Sequence, residues 1–459
     1  MKYLLRMMDP PIACGIVFIL LTLFYFITKA CWRRRFIDWD ISLFLFFCFS
    51  FILMNHLFDF FPLRMDSVEE YIPGAQTIAE IFTTGEIFNL SSWKVFIDKF
   101  IGFTFPLGII FSLSYNSVVA GSFLASIFGA LTIFNIYQIT DELCDRDTAV
   151  LTAILLTFSP YFIFISSVIL RDTMVYFFIA WFYRLWLLHE KKPSTKIKFL
   201  MVFSLCYAGI LRPPIMLVMI ASAFFYKMFF DEKAKQHKYQ RIFIRFLKYV
   251  SVSFGVLLFG LILNGYITSK TFNDLWIVSG IKFFDIDEIN RRTAVSSEAG
   301  SAYYPNLQYS GPTDIITILP FMTIYFMASP FPWDVTKATI VFAFLDSMML
   351  WLLYLFFIPQ IRSFYRSNKK WAVILFSYLF MGILSAAVVQ TNIGAALRHR
   401  IMFTMMIIPF AARQLVLFWK GKRGRENQPR VLRVSLVGGM PVIPGNKTLI
   451  SSNISKNLK

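Results

Sequence analysis

The chain has 459 residues, of which 57% are hydrophobic and 16% are charged. Soluble domains carry about 25% charged residues, so this composition excludes an ordinary soluble enzyme and indicates a polytopic membrane protein. The basic residues behind the net charge of +18 cluster in short segments between apolar runs. That pattern is typical of cytoplasmic loops rather than of nucleic-acid binding, so no nucleic-acid partner is expected.

The apolar runs are about 20 residues long, which is the length of a helix that crosses a hydrocarbon core of about 30 Å. Strict alternation of apolar and polar residues is absent, which favours helices over a transmembrane barrel. The five cysteines lie in or beside these runs without paired spacing, so neither a disulfide framework nor a zinc site is indicated. The predicted fold class is therefore an all-α polytopic membrane protein.

The first half of the chain is a series of apolar runs joined by short segments. Spans are predicted at residues 12–28, 41–61, 117–137, 149–165, 173–188, 199–211 and 215–230. The basic segment "CWRRRF" after the first span favours a cytoplasmic anchor over a signal peptide and places the N-terminus outside. Residues 62–100 then form an external loop with an interfacial helix, and a short re-entrant piece precedes residue 117. "RPP" at 212–214 is the bend of a hairpin, because proline cannot continue the helical hydrogen-bond ladder.

The second half begins with the basic segment "KMFFDEKAKQHKYQRIFIRFLK", which is the strongest mark of the cytoplasmic side. Further spans are predicted at residues 250–267, 339–359, 371–389 and 401–419. Residues 268–313 form the largest external loop, and "LPFMTIYFMASPFPWD" is predicted to be re-entrant or interfacial because of its prolines and Trp333. The transmembrane domain thus covers residues 1–420 with about eleven crossings. The basic tail, residues 421–459, is predicted to be cytoplasmic and disordered.

Three groups of charged residues fall on the external face in this topology. Ionisable groups at the ends of membrane helices carry a desolvation cost, which makes them candidates for function. The groups are Arg64, Asp66, Glu69 and Glu70 in "PLRMDSVEEYIPGAQ", Arg171 and Asp172 in "LRD", and Arg398, His399 and Arg400 in "LRHR".

The carboxylates have two open interpretations. Asp66, with Glu69 or Glu70 as its substitute, would act as a general base on a sugar hydroxyl or would help to hold a divalent cation against a phosphate. The alternative is a solvated loop whose acids favour the start of the following helix. Asp172 would share a metal with Asp66 or divide base and orienting roles with it, unless it simply caps the span that follows.

The basic residues also leave alternatives open. Arg398 and Arg400 would contact a phosphate through their forked guanidinium groups, or they would snorkel to lipid headgroups. His399 is either a general acid or an interfacial residue. Arg171 would bind an anionic lipid headgroup. Arg212 in "LRPP", like Arg398 and Arg400, would either contact a phosphate or snorkel to lipid headgroups.

The segment "SPFPWD", residues 329–334, is predicted to be a rigid turn. It would serve either as an aromatic platform for a sugar ring or as an aromatic anchor at the membrane interface. No phosphate-cradling glycine loop, HExxH, G-x-S-x-G or Cys-x-x-Cys motif occurs in the sequence. The internal repeats typical of many transporters are also absent.

At these residues the sequence resembles the polytopic GT-C glycosyltransferases that use polyprenyl-phosphate-linked sugars. The loop "RMDSVEEYIPGAQTIAEIFTTGEI" is similar to the acidic first loop of that group, and "LTAILLTFSPYFIFISSVILRDTMVYF" is similar to its paired spans with an external acidic corner. "SPFPWD" and "NIGAALRHRIMFTMMIIPF" resemble motifs of members from bacterial surface-polysaccharide loci. The resemblance covers most of residues 41–415.

The resemblance implies a glycosyltransferase that takes a sugar or oligosaccharide from a polyprenyl-phosphate carrier and passes it to a glycan or lipid acceptor among membrane lipids. Asp66 matches the first-loop catalytic carboxylate and Asp172 the second-loop acid. Arg398 and Arg400 match the contacts to the carrier phosphate, for which His399, Arg64, Arg171 and Arg212 are further candidates. A divalent cation is the one cofactor that the carboxylates suggest. The alternatives are an O-antigen or capsule repeat-unit polymerase, which shares this architecture, and a lipid-linked sugar flippase or other transporter.

Overall fold

The computed structural model describes residues 9–33, 35–58, 67–85, 102–230, 286–297, 302–304, 307–335 and 338–426. Within these ranges the regular structure is helical, and the β-pairing consists of an isolated antiparallel bridge between Ala302 and Asn392. The predicted all-α fold class is confirmed. The chain divides into two units, Met1–Leu417 and Phe418–Lys459, and the site described below belongs to the first.

The helices follow the predicted apolar runs closely. In chain order they are α1 (Pro10–Arg33), α2 (Phe36–Phe58), α3 (Ile72–Thr84), α4 (Thr104–Leu113), α5 (Val118–Leu143), α6 (Arg146–Thr157), α7 (Pro160–Ser166), α8 (Asp172–Lys191), α9 (Thr195–Leu211), α10 (Pro213–Phe230), α11 (Ile286–Ser297), α12 (Pro312–Ala328), α13 (Ala338–Ser367), α14 (Lys369–Val389) and α15 (Ile393–Glu426). A π-helical turn, Ser67–Tyr71, precedes α3, and a 3-10 turn, Pro332–Asp334, precedes α13.

Among the described residues, six helices are long and apolar enough to cross a membrane, and the bent pair α6 and α7 would make a seventh span. The six are α1, α2, α5, α13, α14 and α15. Helices α8, α9 and α10 coincide with predicted spans but are shorter or less apolar. The predicted span at residues 250–267 lies outside the described residues, so the total of about eleven crossings stays a prediction.

The segments predicted to be re-entrant or interfacial are short helices. α4 is a ten-residue apolar helix that packs against α3, whose Ile78 and Ile81 are buried. α12 is an apolar helix that packs along α14 and contains Pro320. Neither α3 nor α4 has the length of a full crossing, because about 20 residues are needed to span the hydrocarbon core.

The helices α5 and α8 form the centre of the bundle and run side by side. Phe128 of α5 and Phe177 of α8 lie with ring centroids 5.6 Å apart, and Arg184 Nη1 donates to Asn135 Oδ1 at 3.1 Å. Protein atoms bury 78% of the most apolar stretch of α5 but only 17% of that of α1. An exposed apolar helix of this length is stable in lipid rather than in water, so α1 is a peripheral span.

Two helix breaks place polar side chains inside the bundle. The chain bends by 66° between α6 and α7, where Pro160 starts a new helix and Ser159 Oγ accepts a hydrogen bond from Phe162 N. The second break is Arg212, which adopts extended backbone (φ −155°, ψ 91°) between α9 and α10. A residue before proline avoids the helical region, which explains why α9 ends there.

Gly382 of α14 supplies a direct test of this packing. A Cβ at this position would lie 2.2 Å from Cε1 of Phe403 in α15. Glycine to alanine normally favours a helix by about 1 kcal/mol, but overpacking a core costs about 1–3 kcal/mol. We therefore expect Gly382→Ala to lower the thermal unfolding temperature of the protein in detergent. The double variant Gly382→Ala/Phe403→Leu should lose less unfolding temperature than the two single variants lose together. An unchanged unfolding temperature for Gly382→Ala would contradict this packing.

Candidate active site

Three elements that are distant in the sequence meet at the side chain of Asp172. Arg212 Nη2 donates a hydrogen bond of 2.9 Å to Asp172 Oδ1, and Arg398 Nη1 lies 3.7 Å from Asp172 Oδ2. The carboxylate side chain is 3% exposed, and the two guanidinium side chains are 14% and 18% exposed. We refer to Asp172, Arg212 and Arg398 as the Asp172 cluster.

Each member of the cluster sits where a helix begins or is interrupted. Asp172 is the first residue of α8, a position that favours an acid because the helix N-terminus carries partial positive charge. Arg212 occupies the break that Pro213 imposes. Arg398 lies in the second turn of α15, whose start is capped by Asn392 Oδ1, which accepts a hydrogen bond of 2.8 Å from Gly394 N.

Two tyrosine hydroxyls attach the first turns of α15 to the neighbouring helices. Tyr176 of α8 donates to the carbonyl oxygen of Arg398 at 2.6 Å, and Tyr161 of α7 donates to that of Gly394 at 3.3 Å. Both rings are buried. The position of Arg398 relative to Asp172 is therefore fixed by backbone contacts as well as by charge.

Among the residues that the structure describes, the surroundings of Asp172 carry more positive than negative charge. Arg171 and His399 are half-buried, and both interact electrostatically with Arg212. Burial lowers the pKa of the Arg212 guanidinium and Asp172 opposes that shift, but arginine stays charged because its reference pKa exceeds about 12. Leaving His399 aside, three guanidinium groups accompany one carboxylate.

Arg212 carries a buried donor that no other described residue accepts. Nη1 of Arg212 is buried and has no hydrogen-bond partner among the described residues. A buried donor without a partner costs about 1–3 kcal/mol, more when it is charged. Together with the excess positive charge, this nitrogen makes the cluster suited to receive an anionic oxygen.

Arg400 lies in a different environment from Arg398, because two residues turn a helix by about 200°. Its side chain is 1% exposed. Nη1 of Arg400 donates to the carbonyl oxygens of Met327 at 3.0 Å and Ser329 at 2.6 Å, and Nη2 donates to Ser347 Oγ at 3.1 Å. The sequence predicts that both arginines contact one phosphate, whereas the structure brings only Arg398 to Asp172.

Asp346 is the counter-charge of Arg400 and was not among the residues predicted from the sequence. Its Oδ2 lies 3.6 Å from Arg400 Nη2, and its Oδ1 accepts a hydrogen bond of 2.6 Å from Ser159 Oγ. The pair thereby joins α13, α15 and the bend between α6 and α7. Asp346 lies within the predicted span 339–359, and an acid inside an apolar run was the signal that could have identified it.

Comparison with known proteins agrees with the resemblance seen in the sequence. Residues 98–261 match the family model for dolichyl-phosphate-mannose-protein mannosyltransferase. This match, to part of the chain, supports a GT-C-type membrane glycosyltransferase. The matched segment of the glycosyltransferase contains Asp172 and Arg212, whereas Arg398 lies beyond it. No curated protein and no solved structure gives a significant match.

The first-loop residues of the glycosyltransferase are described only in part. Arg64 and Asp66 lie outside the described residues, so their predicted roles stay predictions. Glu69 and Glu70 are exposed on the π-helical turn and form no ion pair with another described residue. Tyr71 anchors that turn, because its buried ring packs edge-on against Phe103 with centroids 5.4 Å apart.

The donor set around Asp172 does not fit a divalent cation. Two guanidinium groups already surround the carboxylate, and a cation there would be repelled by both. Within the described part of the chain, no group of three or more His, Cys, Asp and Glu side chains could hold a metal ion. The predicted divalent cation of the glycosyltransferase therefore depends on Asp66, outside that part.

Replacing Arg400 tests its role as a buried partner of Asp346. Removing one member of a buried pair costs about 3–5 kcal/mol, because the other charge is left without compensation. We expect Arg400→Met to lower the unfolding temperature strongly, and Asp346→Asn to recover part of that loss in the double variant. Arg398→Met is the matched control and should cost less, since Arg398 is more exposed.

The opposite pattern would contradict this assignment. If Arg400→Met unfolded at the wild-type temperature while a lipid phosphate bound more weakly, Arg400 would be a ligand contact rather than a structural partner of Asp346.

Proposed function

We propose that the protein transfers a sugar or oligosaccharide from a polyprenyl-phosphate carrier to a glycan or lipid acceptor. The transfer takes place on the external face of the inner (plasma) membrane, during assembly of a surface polysaccharide or glycoconjugate. The observation that carries this proposal is the excess positive charge of the Asp172 cluster among the described residues, with a buried donor on Arg212 that none of these residues accepts. The match to a glycosyltransferase family supports the same reaction class.

The Asp172 cluster suits the phosphate of a lipid carrier. Forked guanidinium groups bind phosphate oxygens in pairs, and a poorly hydrated site strengthens each contact. Arg212 and Arg398 would face the phosphate, with Arg171 as a third cation. Their placement at helix ends agrees with a phosphate that stays near the membrane surface while its polyprenyl chain lies among lipid tails.

The reaction exchanges one bond for another. The acceptor hydroxyl oxygen attacks the anomeric carbon of the donor sugar, and the bond between that carbon and the phosphate oxygen breaks. The bonding electrons leave with the phosphate, whose added charge Arg212 and Arg398 stabilise. The hydroxyl proton passes to a carboxylate, which we assign to Asp66, with Glu69 or Glu70 as substitutes.

Asp172 has a different part in this scheme from the catalytic one expected from the sequence. Its oxygens already face Arg212 and Arg398, so it is poorly placed to accept a proton from a hydroxyl. Its role in the proposal is to orient the two guanidinium groups and to offset part of their charge before the phosphate arrives. It is therefore a positioning residue.

A repeat-unit polymerase is the second candidate. It would use the same arginines against a lipid diphosphate, and the resemblance of "SPFPWD" and "NIGAALRHR" to proteins of surface-polysaccharide loci favours it. Sugar ladders from cells that lack the protein separate the two: truncated repeat units indicate a transferase, and intact single units without long chains indicate a polymerase. The glycosyltransferase match supports an enzyme rather than a flippase.

Transfer by purified protein tests the proposal. Protein in lipid nanodiscs, supplied with a labelled polyprenyl-phosphate sugar, should move the label to an acceptor. Asp66→Asn should abolish transfer while the unfolding temperature stays at its wild-type value. Arg398→Gln should slow transfer by about 100-fold, the loss typical of removing one charge-stabilising donor.

The matched control is Arg362→Gln, which removes an exposed arginine from the last turns of α13 and should leave transfer unchanged. Full activity of Asp66→Asn would remove Asp66 from the mechanism. A wild-type rate for Arg398→Gln would overturn the assignment of the carrier phosphate to the Asp172 cluster.

A further inference from the structure

Aromatic rings from separate segments form a continuous surface beside the start of α15. Trp333 stacks on Phe331 with centroids 4.9 Å apart and 11° between the ring planes, and Phe331 also stacks on Trp351 at 5.8 Å. Tyr325 packs edge-on against Phe331 at 5.2 Å and stacks on Tyr303 at 5.1 Å. We refer to this surface as the aromatic platform, which consists of Tyr303, Tyr304, Tyr325, Phe331, Trp333 and Trp351.

Hydrogen bonds from α13 and α15 hold the backbone that carries the platform. Trp351 Nε1 donates to the carbonyl oxygen of Ala328 at 2.8 Å, and Arg400 Nη1 donates to that of Ser329 at 2.6 Å. These are consecutive carbonyl groups at the end of α12, where the helix itself offers no donor. Ser347 Oγ of α13 also donates to the carbonyl oxygen of Ser329, at 2.9 Å. The platform is thus fixed before any ligand binds, which lowers the cost of binding.

The platform lies at the same end of α15 as the Asp172 cluster. Tyr303 N donates to the carbonyl oxygen of Thr391 at 2.9 Å, and Ala302 forms the isolated β-bridge with Asn392. Arg398 follows Asn392 by six residues, which is about 9 Å along the helix axis.

The exposed atoms of the platform combine an open ring face with polar groups. Trp333 is 69% exposed, so the ring face turned away from Phe331 is open. The hydroxyls of Tyr304 and Tyr325 form no hydrogen bond with another described residue. A pyranose presents a face of C–H bonds and a rim of hydroxyls, and amphipathic rings of this kind match both.

A carboxylate argues against insertion of the platform into lipid. Asp334 directly follows Trp333, is only half-buried, and its Oδ2 accepts a hydrogen bond of 2.8 Å from Phe331 N. Moving an ionised carboxylate into the hydrocarbon region is costly, so a tryptophan attached to it is poorly suited as a deep membrane anchor. A sugar in water carries no such cost.

We propose that the aromatic platform binds a pyranose unit of the acceptor glycan. The sugar ring stacks on the open face of Trp333, and its hydroxyls form hydrogen bonds with the hydroxyls of Tyr304 and Tyr325. This inference rests on the proposed glycosyl transfer and names a sugar subsite at the same end of α15 as the carrier-phosphate site.

Glycoside binding tests the subsite without requiring transfer. Saturation-transfer NMR would use the full-length protein in nanodiscs, with the methyl glycosides of mannose, glucose and galactose as probes. At least one glycoside should receive saturation at its axial ring protons from the wild-type protein, and Trp333→Ala should weaken binding about tenfold. Trp32→Ala removes another exposed tryptophan, in α1, and should keep the signal. Saturation that does not depend on Trp333, for all three glycosides, would overturn the subsite.

Two further measurements separate the subsite from its alternatives. In the transfer assay, Trp333→Ala should raise the acceptor KM about tenfold with kcat close to wild type. Brominated lipids should quench the fluorescence of the wild-type protein and of Trp333→Phe equally, and quenching that depends on Trp333 would show a membrane anchor and overturn the subsite. If the wild-type protein moves no label, the proposed function is wrong, and the glycoside result alone decides the subsite.

Discussion

The carboxylate of Asp172 connects the three parts of the chain from which the proposed phosphate site is built. Burying an isolated charge costs several kcal/mol, so Arg212 and Arg398 depend on Asp172 for compensation, and Asp172 depends on them. The helix ends place these side chains: α8 begins at Asp172, and Pro213 ends the helical hydrogen bonding so that Arg212 has extended backbone. Because the charges of the described residues do not balance there, the same cluster that stabilises the fold is suited to attract an anion.

The helix α15 combines two arginines with different tasks. Arg398 lies beside Asp172. Arg400 is buried in the bundle, where it pairs with Asp346 and donates hydrogen bonds to carbonyl groups at the end of α12. The same helix therefore connects the proposed phosphate site to the aromatic platform. A glycosyltransferase needs both ends of its substrate pair held in register, since small errors in the position of reacting atoms cost rate steeply.

Much of the fold was predictable because the membrane requires long apolar helices. The apolar runs predicted most of the helices in outline, and the proline pair after Arg212 predicted the break between α9 and α10. They did not predict α11, which is polar and lies within the predicted external loop 268–313. The prediction that Asp172 and Arg398 share one face of the membrane agrees with their contact. Which charged side chains form ion pairs was not predictable, because the pairing of Arg212 with Asp172 depends on how α8 and α9 pack. Helical geometry alone would have separated Arg400 from Arg398. Its partner Asp346 could have been noticed as an acid inside an apolar run, but the sequence does not say which residue it pairs with. Asp66 stays a prediction from the sequence.

The position of a bound lipid phosphate is the measurement that tests the account most directly. An electron cryo-microscopy structure of the full-length protein in nanodiscs with polyprenyl phosphate would locate the phosphorus atom. The account predicts phosphate oxygens within about 3 Å of guanidinium nitrogens of Arg212 and Arg398, with Nη1 of Arg212 now bonded. A phosphate bound elsewhere, with the Asp172 cluster unchanged, would contradict it.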